Sequence, residues 1–229
     1  MRVSILIPVY NEASTIREIV DRVQEAPYQK EIIVVDDGSR DGTREILGGL
    51  PLFRTSDNKF LSHDRNRGKG AALQTAFKVA TGDVILIQDA DLETGPEDYS
   101  ALLEPIIGGR ADVVYGSRFL NNENLKGSRT HYWGNRFLTG LTNLLFSLRL
   151  TDMETCHKVF IREVLEGLVI RSSRFGFEPE FTAKVAKRAF RICEVPIHYY
   201  PRSRSEGKKI KWVDGVRAVF TLLWFRLTD

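Results

Sequence analysis

The chain has 229 residues, 42% hydrophobic, 28% charged and 10% aromatic, with a formal charge of +3. That length can bury a core in one domain, apolar residues throughout exclude general disorder, and so slight a charge gives no case for nucleic-acid binding. The two cysteines, Cys156 and Cys193, sit in no CxxC or Cys/His cluster, which excludes a disulfide scaffold and a structural zinc site and suits a reducing, cytoplasmic compartment.

In chain order, Val3 to Ile7 is a short apolar run stopped by Pro8, and it predicts a buried strand. Ile16, Ile19, Val20 and Val23 follow at helical spacing, with Thr15 and Glu18 available as a capping box. Glu31 to Val35 predicts a second buried strand, running into the turn formers Asp36-Asp37-Gly38-Ser39. From Gly70 to Ala80 the pattern is helical, and Gly82 is placed to end that helix. Val84 to Ile87 is again strand-like and ends in Gln88-Asp89-Ala90-Asp91. A helix through Tyr99, Leu102, Leu103 and Ile106 leads to the strand Asp112 to Tyr115, which ends in Gly116-Ser117-Arg118. Repeated β–α units of this length imply the α/β class: a mostly parallel sheet with helices on both faces.

Beyond Arg118 the rhythm changes. Asn121 to Arg129 reads as a polar loop, and a helix then aligns Phe137, Leu138, Leu141, Leu144, Leu145 and Leu148. Phe181 and Val185 mark another helix, Ile192 to Tyr200 a strand, and Pro201 to Lys211 a basic loop. The last segment places Val213, Val216, Phe220, Leu223, Trp224 and Leu227 on one stripe, with Val219, Leu222 and Phe225 off it. That is more apolar surface than packing on one core requires. The expected organisation is one domain over 1–211 and a C-terminal amphipathic helix over 212–229. No apolar run approaches the roughly 18 residues that cross a bilayer, and the opening MRVSILIPVYNE lacks a cleavage site. A soluble or peripheral protein is expected.

In open parallel sheets ligands bind beyond the carboxyl ends of the strands. There the first strand delivers Pro8, Tyr10, Asn11 and Glu12, and the second Asp36 and Asp37. The strand 84–87 delivers Asp89, Asp91 and Glu93, and the strand 112–115 delivers Arg118. Carboxylates gathered from separate strands repel unless a positive charge sits among them, and a hard divalent cation is the simplest one. With 30 acids in 229 residues, roughly four acid-x-acid spacings arise by chance, so Asp89-Ala90-Asp91 reads either as a solvated turn or, by its place after a buried strand, as a metal or diphosphate site. Arg67-Gly68-Lys69-Gly70 opens a helix and can either cradle phosphate or be a solvated start; it is neither a P-loop nor a dinucleotide fingerprint. The basic groups Arg118, Arg129, Arg202, Arg204, Lys208, Lys209 and Lys211 are either solvated or a clamp on phosphate oxygens. The four histidines show no ligand spacing, and no GxSxG elbow supports acyl transfer.

VSILIPVYNE, EIIVVDDGSRDGT, RNRGKGAAL, VILIQDADLE and DVVYGSRF, in this order, resemble family 2 glycosyltransferases of the GT-A fold, and within them the polyprenyl-phosphate sugar synthases. The resemblance implies that Pro8, Tyr10, Glu12, Val35 and Asp37 hold the base and ribose of a nucleotide-diphosphate sugar. With Lys69, Asp89, Ala90, Asp91, Arg118, Arg202 and Lys208, they would form the donor site. It implies that Asp89, Asp91 and Glu93 bind Mg²⁺ or Mn²⁺, and that Asp91, Arg118, Arg129 and Arg202 are the catalytic groups. The implied activity is inverting transfer of one sugar from GDP-mannose or a UDP-hexose to a dolichyl or undecaprenyl phosphate at the membrane surface. Glu93 stands where many such synthases carry glutamine, and Asp152 to Lys158 departs from their glycine-containing pattern. The alternative is a family member that glycosylates a glycan hydroxyl, with Asp152 or Glu154 as base. For the helices after Arg129 and at the C-terminus, lying in the membrane interface and packing in a core or dimer are both open.

Overall fold

The computed structural model of the chain describes residues 1–54, 57–120, 129–202 and 212–228, of which 129–131 and 212–214 by backbone alone. Among these residues seven strands form one sheet: β1 (Val3–Val9), β2 (Lys30–Asp36), β3 (Lys59–Ser62), β4 (Val84–Ile87), β5 (Val113–Ser117), β6 (Lys158–Ile161) and β7 (Ile192–Pro196). Their order is β3-β2-β1-β4-β6-β5-β7. β1 lies parallel between β2 and β4, β3 extends the parallel set, and β5 pairs parallel with β7. β6 runs against both of its neighbours, β4 and β5. One reversed strand between β4 and β5 leaves their carboxyl ends, and those of β1 and β2, on the same edge of the sheet.

Side chains alternate across that sheet, as a period of two requires. Ile5, Ile7, Ile32 and Val34 face α1 (Ile16–Glu25), α2 (Thr43–Gly49) and α4 (Tyr99–Ile107). Leu6, Ile33 and Val35 face the side covered by α3 (Lys69–Phe77), α5 (Arg129–Phe146), α6 (Phe177–Lys187) and α7 (Trp212–Leu227). Each fully buried Ile, Leu, Val or Phe contributes about 1.5–3 kcal/mol. The expected α/β class, mostly parallel with helices on both faces, is the architecture observed. No helix among the described residues is long and apolar enough to cross a membrane.

Two local expectations are corrected. Thr15 does not cap α1: its Oγ1 donates backwards to the Glu12 carbonyl and Oε2, at 3.3 and 3.2 Å. Gly82 does not end α3, which stops at Phe77. A Cβ at Gly82 would stand 2.7 Å from the Ser4 nitrogen and 2.8 Å from the Arg2 carbonyl, so glycine is needed there for close approach to β1. In α7 one apolar stripe is buried and the other exposed. Ala218, Leu222 and Phe225 are buried against α5 and α6, while Phe220, Trp224 and Leu227 are exposed.

Candidate active site

At the carboxyl edge, β2 ends in Asp36 and Asp37, both buried. Asp37 accepts from the Arg67 and Gly68 backbone N–H groups at 2.9 and 2.7 Å and lies 2.7 Å from His63 Nδ1. It therefore fastens the turn that opens α3. Gly68 has φ +102, and Cβ atoms on Gly68 or Gly70 would collide with the Ser173 and Ser172 carbonyls, so these glycines serve close packing as well as any ligand. Asp36 accepts from the Ser39 N–H at 3.0 Å and from Arg44 Nε at 2.9 Å. Two other expected contacts point elsewhere: the Val35 and Ala90 side chains lie in the core, on opposite faces of the sheet, so at the cleft each can offer backbone only. Pro8 and Tyr10 are half-buried at the end of β1.

The residues after β4 have a different environment. Asp89 Oδ1 meets Lys69 Nζ at 2.6 Å, and the same ammonium is 3.5 Å from Glu178 Oε1. Burial opposes both charges, but the pair prevails: Lys69 is held well above the usual lysine range, with Asp89 the main partner, and Asp89 is held below the usual carboxylate range by Lys69. Asp91 is pushed up to about 7, by burial first and then by Asp89 and Glu93, with Arg202 acting the other way. Arg202 reaches into this acidic set from the segment after β7. Its Nη1 donates to Glu12 Oε2 and its Nη2 to Asp91 Oδ2, both at 2.9 Å, and its backbone N–H donates to Glu93 Oε1 at 3.1 Å. The Tyr199 hydroxyl holds the other Glu93 oxygen at 3.1 Å.

Among the described residues no three Asp, Glu, His or Cys side chains are arranged as a metal cage. The donor set nevertheless fits a hard divalent cation, because Asp91 carries an unfavourable burden of neighbouring carboxylates that a cation relieves. Glu12, Asp91 and Glu93 already share one positive group, the Arg202 guanidinium.

At the end of β5, Arg118 is clamped by Asp152: Nε to Oδ2 at 2.7 Å, Nη2 to Oδ1 at 2.8 Å, and the Arg118 N–H to Oδ2 at 3.1 Å. Asn135 of α5 adds a bond to Oδ1 at 3.1 Å. Asp152 is fully buried, and although burial opposes its charge, Arg118 keeps it below the usual carboxylate range. The guanidinium stacks 5.3 Å from the Tyr199 ring centroid. Arg202 and Tyr199 thus bring Glu12, Asp91, Glu93 and Arg118 together, and Asp89 lies within electrostatic reach of Asp91. Arg129 begins α5 but its side chain lies outside the described residues, as does Lys208.

Residues that spacing did not mark adjoin this set. Glu178, nearly fully buried in the first turn of α6, sits beside Lys69 and 4.0 Å from Cys156 Sγ. Lys158 is fully buried under Tyr115 and donates to the Met153 and Thr155 carbonyls, which fixes the turn carrying Glu154. Their one sequence signal is charge in otherwise apolar surroundings.

The profile of the glycosyl transferase family 2 matches residues 4–169. The UDP-N-acetylglucosamine–dolichyl-phosphate N-acetylglucosaminyltransferase of Methanococcus voltae is 28% identical over 97% of this chain and 95% of its own length. The polyprenol monophosphomannose synthase of Mycolicibacterium smegmatis is 30% identical over 92% of this chain and 83% of its own. Glycosyltransferase AglD of Haloferax volcanii is 29% identical, and this chain spans 38% of its length. Among solved structures, glucosyl-3-phosphoglycerate synthase of Mycobacterium tuberculosis, in complex with Mn²⁺, UDP and glucosyl-3-phosphoglycerate, superposes with a TM-score of 0.75 over 99% of this chain and 80% of its own, at 21% identity. At that identity the likeness is one of fold.

Proposed function

Because the chain belongs to glycosyl transferase family 2, we propose that it moves a single sugar from GDP-mannose or a UDP-hexose to a dolichyl or undecaprenyl phosphate at a membrane surface, with inversion and with Mg²⁺ or Mn²⁺. The observation that carries the choice of acceptor is the clamp of Asp152 on Arg118. Both Asp152 oxygens are engaged, and a carboxylate held below its usual range is a poor base for a hydroxyl. A phosphate monoester needs no such base, since it is anionic near neutral pH. Two relatives carry names that specify a dolichyl-phosphate or polyprenol acceptor, in support.

In this reaction a phosphate oxygen of the acceptor attacks the anomeric carbon. The bond from that carbon to the diphosphate oxygen breaks, and the nucleoside diphosphate departs with the electron pair. In-line attack inverts the anomeric configuration. Tyr10, Glu12 and the backbone at the ends of β1 and β2 bind the nucleoside. Lys69 and Arg202 balance the diphosphate, and Arg118, oriented by Asp152, binds the acceptor phosphate with Arg129 and Lys208. Asp89, Asp91 and Glu93 would hold Mg²⁺ or Mn²⁺, which would supply Lewis-acid stabilisation of the departing diphosphate. Positioning and charge balance are then the main contributions of this chain.

The exposed apolar side chains support the membrane setting: Trp133, Phe137 and Leu144 on α5, and Phe220, Trp224 and Leu227 on the neighbouring α7. Exposed Arg136, Arg149 and Arg226 suit the anionic headgroups beside them. Incubation with Mn²⁺, polyprenyl phosphate and labelled nucleotide sugars should yield a labelled lipid. Failure of every donor to do so overturns the proposal.

A further inference from the structure

We infer that Glu154, on the turn fixed by the buried Lys158 ammonium, receives the hydroxyls of the transferred sugar and selects an uncharged sugar over a uronic acid. This rests on the nucleotide-sugar reading of the cleft and adds to it the place of the sugar. A diphosphate at Asp89 and Asp91 and an acceptor phosphate at Arg118 leave the sugar to bridge the ground between them. The groups along that ground are Lys69, Glu178, Cys156 and Glu154: Lys69 joins Asp89 to Glu178, and Glu154 lies within the electrostatic reach of both Glu178 and Arg118.

Two oxygens there are shut off from solvent and have no hydrogen-bond partner among the described residues: Glu154 Oε1 and Glu178 Oε2. Leaving a buried carboxyl oxygen unpaired is unfavourable, and sugar hydroxyls are the donors that this reaction brings to the place. Glu154 is also suited to hydroxyls by its own state. Burial, and then Glu178, push its carboxyl up to about 8, so at neutral pH it can donate as well as accept. A uronate would bring a third acidic group against these two. On this inference Glu154 binds substrate rather than taking the proton of an acceptor hydroxyl.

The test is calorimetric binding, with Mn²⁺, of UDP, UDP-glucose, UDP-N-acetylglucosamine and UDP-glucuronic acid to wild type, Glu154→Gln and Glu154→Ala. GDP and GDP-mannose serve as the second series, and circular dichroism checks folding. The inference predicts that nucleoside-diphosphate affinity is unchanged in both variants, while the sugar-dependent part of the affinity falls about tenfold in Glu154→Ala, equivalent to about 1.4 kcal/mol. Glu154→Gln keeps part of it and narrows the discrimination against the uronate. Equal loss for diphosphate and nucleotide sugar makes Glu154 structural and overturns the inference. Unchanged binding with transfer abolished in Glu154→Gln makes it a base and also overturns it. Wild type that binds none of these ligands overturns the nucleotide-sugar reading itself, and the sugar seat with it.

Discussion

The ends of β2 and β4 carry the same chemistry, two carboxylates after a buried hydrophobic strand, and they are treated in opposite ways. Asp37 is surrounded by donors from the turn before α3 and from His63, so its charge is satisfied internally. Asp91 faces two other acids and is pushed up to about 7, relieved in part by Arg202. A carboxylate that is fully met by its own chain is a fastening. One held among like charges is, on the proposed function, the place that receives a cation from outside.

The largest expected effect falls on the reserved end. Asp91→Asn should lower transfer about 10²–10³-fold while the melting temperature holds or rises, because it removes repulsion with Asp89 and Glu93. A loss of stability with transfer retained would make the two ends alike. The fastening end should respond the other way: Asp37→Ala strands three donors and should cost about 3 kcal/mol in chemical denaturation.

Much of this contrast was not legible in the sequence. The buried runs of β1, β2 and β4 were, because strands covered on both faces are apolar throughout. β3 was not: Lys59-Phe60-Leu61-Ser62 is a half-exposed edge strand with only two apolar residues. β6 opens on the buried Lys158 and runs antiparallel, which breaks the β–α rhythm. The acids themselves were visible, but their roles depend on partners far along the chain. Asp37 is met by Arg67 and Gly68, Arg118 by Asp152, and Asp91 by Arg202, which follows it by 111 residues. In α7 both stripes are apolar, and only the packing of Leu222 and Phe225 decides which one is inside.

Smaller effects sharpen the picture of the floor and the surface. Glu154 has a folded-state value of about 8 against an ordinary 4.5, so the unfolded chain loses that proton first. Its contribution to stability should decline as pH rises from 4.5 through about 8. Glu154→Gln should remove that slope in melts across the range, and a slope unchanged by the substitution would contradict the buried proton. The smallest effect on stability is expected at the exposed Trp224. Trp224→Ser should change stability by no more than about 0.5 kcal/mol, yet reduce sedimentation with anionic vesicles several-fold.

The most direct test of the contrast between the strand ends is Mn²⁺ binding followed by electron paramagnetic resonance in the presence of UDP. Wild type should take up the ion, and Asp91→Asn should weaken its binding at least about tenfold while the fold is retained. Equal Mn²⁺ affinity in wild type and Asp91→Asn would contradict the assignment of the β4 end as the place where the cation and the diphosphate meet.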